Sequence, residues 1–197
     1  MPIPEPVKGA PDWLPPAAGR FDAVESAFLE TARLAGYERA RTPIFEHTEV
    51  FSRGVGATTD VVQKEMYTFA DKGDRSLTLR PEGTAGVVRA ALTAGIPRTG
   101  GLPVKVSYAG EFFRYERPQA GRQRQFNQVG IEALGSDDPL LDAEVVLLGW
   151  EALRAAGMPV AQLTLRMNSL GDRADRADYH DRLNAFLDTV DDLPPDV

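Results

Sequence analysis

The chain has 197 residues, 43% apolar and 26% charged, an ordinary globular balance with enough length to bury a substantial core. It contains no cysteine, which excludes disulfides, thiolate metal sites and a cysteine nucleophile, and with only His47 and His180 no histidine-rich metal site is expected. The net charge of -7 is uneven: residues 1–134 carry 17 Lys plus Arg against 16 Asp plus Glu, net +1, and residues 135–197 carry 5 against 13, net -8.

In chain order, residues 1–16 hold too many prolines for a regular element and are expected to run extended over the surface. They also lack the apolar run of a signal peptide, and no stretch is long enough to span a bilayer, so a cytosolic protein without a membrane partner is expected. Phe21, Val24, Phe28, Ala32 and Ala35 recur at helical spacing before Gly36, predicting a helix over 17–35. A short strand is expected through 39–42, ended by Pro43, and a short helix over 47–53. Residues 66–69 and 76–79 flank an Asp- and Gly-rich loop and predict an antiparallel hairpin. Pro81 suits a first helical residue, with Glu82 in the first turn of a helix running to about Ala94. Val104, Val106 and Tyr108 alternate as a strand. Asp138 and Pro139 suit a cap and first residue of a helix carrying Leu141, Val145, Leu148 and Ala152 up to Gly157. Leu163, Leu165 and Met167 alternate as a further strand, and a last helix is expected over 174–190 with Ala177, Leu183, Phe186 and Val190 inward. Hairpins without crossover helices between them predict an α+β fold around a mainly antiparallel sheet, and the chain length predicts one large domain or one and a half, over residues 17–197.

Gly54 and Gly56 begin a G-x-G-x-x-G pattern, but Thr59 stands at its third position and a helix is expected before it. A dinucleotide loop is therefore not expected. The informative segment is instead residues 113–128, where Arg114, Arg117, Arg122 and Arg124 crowd one hairpin. Between Gly101 and Gly130 the balance is Lys105 and these four arginines against Glu111 and Glu116, net +3. Forked guanidiniums suit phosphate oxygens. On the returning strand, Val129, Ile131 and Ala133 fall on one face. Phe126, Gln128, Gly130, Glu132 and Leu134 fall on the other, with Gln128 and Glu132 roughly 13 Å apart across a glycine that leaves open space. This face reads as the floor of a small-molecule pocket.

Arg80-Pro81-Glu82-Gly83-Thr84, the hairpin from Phe113 through Arg122 with Arg124-Gln125-Phe126, and Asn168-Ser169-Leu170-Gly171-Asp172 together resemble the histidyl-tRNA synthetase family. Thr42-Pro43-Ile44-Phe45-Glu46 looks like the first class II motif, and the arginine hairpin looks like the second. The resemblance runs in register from about Lys8 to the end of the chain, with a loose opening at Lys8 to Asp12 and Asn127 where the family usually carries histidine. It implies a class II catalytic fold, incomplete at its C-terminus, in which the third motif, a second histidine-binding segment and an anticodon-binding domain have no counterpart. Such a portion is not expected to work alone.

The implied activity is ATP-dependent formation of histidyl-adenylate, assisted by magnesium, and transfer of histidine to its tRNA. By position, Arg114 matches the catalytic arginine on the α-phosphate. Arg122 matches a γ-phosphate contact, Glu116 an adenine contact and Phe126 a ring stacked on adenine. Glu82, Gly83, Thr84, Arg114, Gln128 and Glu132 match histidine-binding positions, with Glu132 toward the imidazole, and Arg117 and Gln119 look placed for the tRNA acceptor end. No metal-ligating side chain is implied. A homodimer through the segment around Pro43 is expected. The competing reading is a histidine-sensing regulatory subunit of ATP phosphoribosyltransferase, which shares the fold but needs no ATP or tRNA contacts; retention of Arg114, Glu116, Arg117, Gln119 and Arg122 favours the synthetase.

Overall fold

The computed structural model describes residues 3–54, 64–168 and 171–190. The chain divides into two units, residues 1–159 and 160–197. In the first, helix α1, Ala17–Leu34, forms where the apolar spacing predicts and buries Ala32. Gly36 follows at φ 84°, a left-handed turn that glycine adopts without a Cβ penalty. Strand β1, Glu38–Arg39, comes next, then β2, Phe45–His47, and helix α2, Thr48–Gly54. Strands β3, Thr68–Ala70, and β4, Ser76–Leu79, form the expected antiparallel hairpin.

Helix α3 covers Thr84–Thr93, later than expected: Pro81 is not its first residue, and Gly83 holds the N-cap position. The reason is local. The Glu82 carboxylate accepts hydrogen bonds from the amides of Thr84 (2.6 Å) and Ala85 (2.9 Å), so it caps the helix from outside instead of lying in its first turn. Strand β5, Val104–Phe113, absorbs both the strand expected around Tyr108 and the outgoing arm of the arginine hairpin. Strand β6, Gln125–Leu134, returns antiparallel to it along its whole length. Helix α4, Pro139–Ala155, opens as read, with the Asp138 carboxylate accepting from the Leu140 amide at 2.9 Å.

The strands make two three-stranded sheets, β1-β5-β6 and β2-β4-β3. All pairs are antiparallel except β1 on β5. β2 was not expected as a strand. On one face of the larger sheet Tyr108 and Phe112 pack with Val87 of α3, and Val106, Phe126 and Leu134 close around them. The other face meets α1 and α4, where Phe28, Ala32, Val129, Ile131, Leu148 and Ala152 line an apolar cavity of about 210 Å3. Tyr37 and Lys105 both bond Glu144, at 2.8 and 2.9 Å, and tie α4 to that face.

Arg80 joins the two sheets at the end of β4. Its amide donates to Ile44 O at 2.8 Å and its carbonyl accepts from the Phe113 amide at 3.0 Å. The guanidinium donates to Glu111 O (2.8 Å) and Thr42 O (3.2 Å) and lies 4.5 Å over the Phe112 ring. Burial pulls its pKa below the usual arginine value, with Glu111 opposing. Arg80→Met is expected to destabilise the fold by about 2 kcal/mol, because both carbonyls lose a charged donor; urea unfolding midpoints measure this.

In the second unit, helix α5, Arg173–Leu187, starts from a capping box in which Asp172 and Asp175 bond each other's backbone. Two expectations fail here. Residues 163–168 form no strand, and only a 3-10 turn, Val160–Gln162, precedes them. Along α5 and just beyond it, Ala177, Leu183, Phe186 and Val190 are exposed instead of inward. A strand needs a ladder partner and an apolar stripe needs a second layer, and the described residues of this unit contain neither.

Candidate functional site

The pairing of β5 with β6 sets the site. Tyr108 stands opposite Gly130, Gly110 opposite Gln128, Val106 opposite Glu132 and Phe112 opposite Phe126, so these side chains share one face. The space over Gly130 is not open: Tyr108 fills it. A Cβ built on Gly130 or on Gly83 would come closer than 3.0 Å to the Tyr108 ring, so the phenol lies against both glycines. Sequence reasoning missed this role because Tyr108 alternates with Val104 and Val106 and reads as core. The available signal was a glycine facing an aromatic ring.

Around that phenol the polar groups converge. Gln128 Nε2 lies 3.4 Å from Tyr108 Oη, and Tyr108 Oη donates to Glu132 Oε1 at 3.2 Å. Thr84 Oγ1 donates to the same Oε1 at 2.7 Å. Burial raises the Glu132 carboxyl above its ordinary pKa; the Thr84 and Tyr108 hydrogen bonds oppose this and the Glu82 charge adds to it. Burial first, then Glu132, raises the Tyr108 phenol far above neutrality, so it stays a donor. Glu82 and Thr84 also line a cleft of about 620 Å3 between α2 and α3, with Glu49, Arg53 and Arg89 on its walls. Arg89 pairs there with Glu46 of β2.

The arginine hairpin begins where β5 ends. Arg114 donates Nε to Pro81 O at 2.9 Å and lies 5.3 Å over the Phe126 ring. Glu116 is buried; its carboxylate pairs with Arg122 and lies 4.0 Å from Arg114. Arg122 is half exposed, and Gln119 and Arg122 exchange backbone hydrogen bonds at 3.0 Å across a turn with Gly121 at φ 76°. Arg117 and Gln119 stand exposed on this tip. Arg124 lies 4.3 Å over Tyr115 and donates to Glu116 O at 3.1 Å. The Gly9 carbonyl accepts from the amides of Arg124 (2.7 Å) and Gln125 (3.0 Å), so the amino-terminal segment closes the hairpin's base.

Arg114, Phe126, Gln128, Glu132, Glu82, Gly83 and Thr84 are thus brought to one face by β5, β6 and the start of α3, and Glu116 and Arg122 pair beside Arg114. Arg117 and Gln119 lie apart from the carboxylate cluster. Residues 55–63, which include the glycine pattern after Gly54, lie outside the described residues, as do Ser169 and Leu170 of the Asn168 to Asp172 motif.

A sequence profile described as Histidyl-tRNA synthetase matches residues 9–190. The histidine–tRNA ligase of Rhodococcus jostii (strain RHA1) is 58% identical over 180 residues, 91% of this chain and 42% of that protein. The histidine–tRNA ligase of Mycobacterium tuberculosis (strain ATCC 25618 / H37Rv) is 56% identical over 184 residues, 93% of this chain and 43% of its own length. The chain therefore spans less than half the length of these relatives. The apo histidyl-tRNA synthetase of S. aureus superposes with a TM-score of 0.71 at 38% identity, over 94% of this chain and 48% of that one. An ATP phosphoribosyltransferase regulatory subunit/histidyl-tRNA synthetase from Bacillus halodurans C gives a TM-score of 0.69 at 26% identity, over 81% and 40%. With a matching profile over nearly its whole length and a class II arrangement of hairpin and helix, the chain belongs to the histidyl-tRNA synthetase family.

Proposed function

We propose that the intact protein activates histidine with ATP and transfers it to its tRNA, and that this chain supplies the α-phosphate and histidine contacts. One observation carries the reading: a single hairpin holds Arg114 at its head and the Gln128, Tyr108 and Glu132 cluster along its body, next to Glu82 and Thr84. A guanidinium at one end and carboxylates at the other suit a substrate with a phosphate-bound carboxylate at one end and an ammonium and imidazole at the other.

In this reaction the histidine carboxylate attacks the α-phosphate and pyrophosphate leaves. The protein needs no nucleophile; it aligns the two groups and neutralises charge on the phosphoryl oxygens. Arg114, fixed by Pro81 O and by Phe126, is the preorganised cation for that charge. Phe126 offers its ring to adenine, Glu116 its carboxylate edge, and Arg122 reaches the γ-phosphate on leaving Glu116. Glu82, Thr84 and Gln128 receive the ammonium beside Gly83, and Glu132 receives an imidazole N–H. Arg117 and Gln119 meet the tRNA acceptor end. Among the described residues no three His, Asp or Glu side chains gather as a metal site. Magnesium, when bound with the phosphates, would help neutralise their charge, and no step above is routed through it.

The segment around Pro43 serves a homodimer: Ile44 and Phe45 are exposed, and Phe45 meets Phe69 edge-on at 6.4 Å. No described helix is long and apolar enough to cross a membrane.

Histidine-dependent exchange between ATP and pyrophosphate tests the reading. Exchange by the intact protein is expected, and histidine binding without exchange would favour the sensing subunit instead. Glu132→Gln is expected to raise the KM for histidine by roughly tenfold or more with the KM for ATP nearly unchanged, since a charged acceptor is lost at one end only.

A further inference from the structure

We propose that Tyr108 is a positioning residue for Glu132, fixing which carboxylate oxygen is offered to a ring N–H of the ligand; this rests on the histidine-activating function proposed above. Glu132 Oε1 already accepts two hydrogen bonds, from Thr84 Oγ1 at 2.7 Å and Tyr108 Oη at 3.2 Å. Gln128 approaches Tyr108 Oη at 3.4 Å, and its amide donating there directs the phenol proton toward Glu132. The series Gln128, Tyr108, Glu132 therefore runs one way, and Thr84 closes it from α3. With Oε1 occupied, Oε2 is the oxygen left to accept from a ligand.

The phenol has little freedom to do otherwise. Tyr108 is 7% exposed, and its ring is pressed on Gly83 and Gly130, where a Cβ on either side would strike it. It is also 6.0 Å from Phe112. Two glycines placed to admit one ring are a large concession for a residue that merely fills space, since a smaller side chain would fill it without them. A carboxylate pinned at one oxygen discriminates ring N–H donors from isosteric rings that lack one.

Tyr108→Phe in the intact protein tests this, because it keeps the ring and removes only the hydroxyl. The expected result is a roughly tenfold rise in KM for histidine with KM for ATP unchanged. The groups facing Glu132 are Thr84 from the start of α3, Glu82 just before that helix and Tyr108 from β5, with Gln128 of β6 reaching Tyr108. Losing one donor raises the Glu132 pKa further, so the acid limb of histidine affinity moves to higher pH than in the parent, the ligand's own titration being common to both. Tyr108 acting through Glu132 also makes the pair non-additive: Tyr108→Phe/Glu132→Gln should cost no more than Glu132→Gln alone. Additive losses, or an unchanged KM and pH limb in Tyr108→Phe, would overturn the inference. A Glu132→Gln variant that binds histidine normally would instead remove the histidine assignment beneath it.

Discussion

Arg114→Ala is expected to lower histidine-dependent exchange by about a hundred- to a thousandfold, the loss typical of one preorganised donor to transition-state charge. The variant should still fold. The Arg114 side chain makes one hydrogen bond, to Pro81 O, and one ring contact, with Phe126, and lies 4.0 Å from the Glu116 carboxylate, which keeps Arg122 as its partner. Losing them costs about 1 kcal/mol, or a few degrees in Tm. A large loss of exchange with a small loss of stability, read by thermal melting beside the exchange assay, separates chemistry from folding. Near-normal exchange would remove Arg114 from the α-phosphate.

The second large effect is structural. Gly130→Ala places a methyl group against the Tyr108 ring, and both the ring and strand β6 are held by neighbours, so one must shift. The expected cost is about 1–3 kcal/mol, with a fall in Tm of several degrees. Histidine affinity should fall with it, because the displaced phenol drags on Glu132. The contrast is Gly19 in α1, where a Cβ meets nothing within 4 Å; Gly19→Ala should be neutral or stabilising by up to about 1 kcal/mol. Equal losses from both changes would mean that backbone freedom, not crowding at Tyr108, is what Gly130 provides.

Elements with local signals were legible in the sequence. Asp138 and Pro139 announce α4, the Asp71 to Arg75 loop announces its hairpin, and the apolar spacing announces α1. β2 was not, because three residues behind a proline carry no alternation; it exists through its ladder with Leu77, Thr78 and Leu79. The onset of α3 was misplaced because a proline at a first helical turn and a glutamate capping from outside look alike in one dimension. The strand expected over 163–167 shows the opposite error, alternation without a partner to pair.

The site divides in the same way. The arginines and carboxylates stand out by type, and their positions along β5 and β6 follow from counting. Tyr108 could not be placed by counting along one strand, since its role comes from its register with Gly130 and from the approach of Gly83. Likewise, nothing at Gly9 says that its carbonyl will meet Arg124.

That last contact bears on when the site can form. The Gly9 carbonyl meets amides at residues 124 and 125, and β1 lies parallel to β5, so the hairpin's base is closed by chain that left the ribosome long before it. Pairings this distant in sequence carry the loop-closure entropy of everything between them. The β5–β6 hairpin can zip locally, but its phosphate-facing end is locked only when the earliest residues come back to it. Closing the base of the arginine cluster therefore carries an entropic cost that the local zipping of β5 on β6 does not.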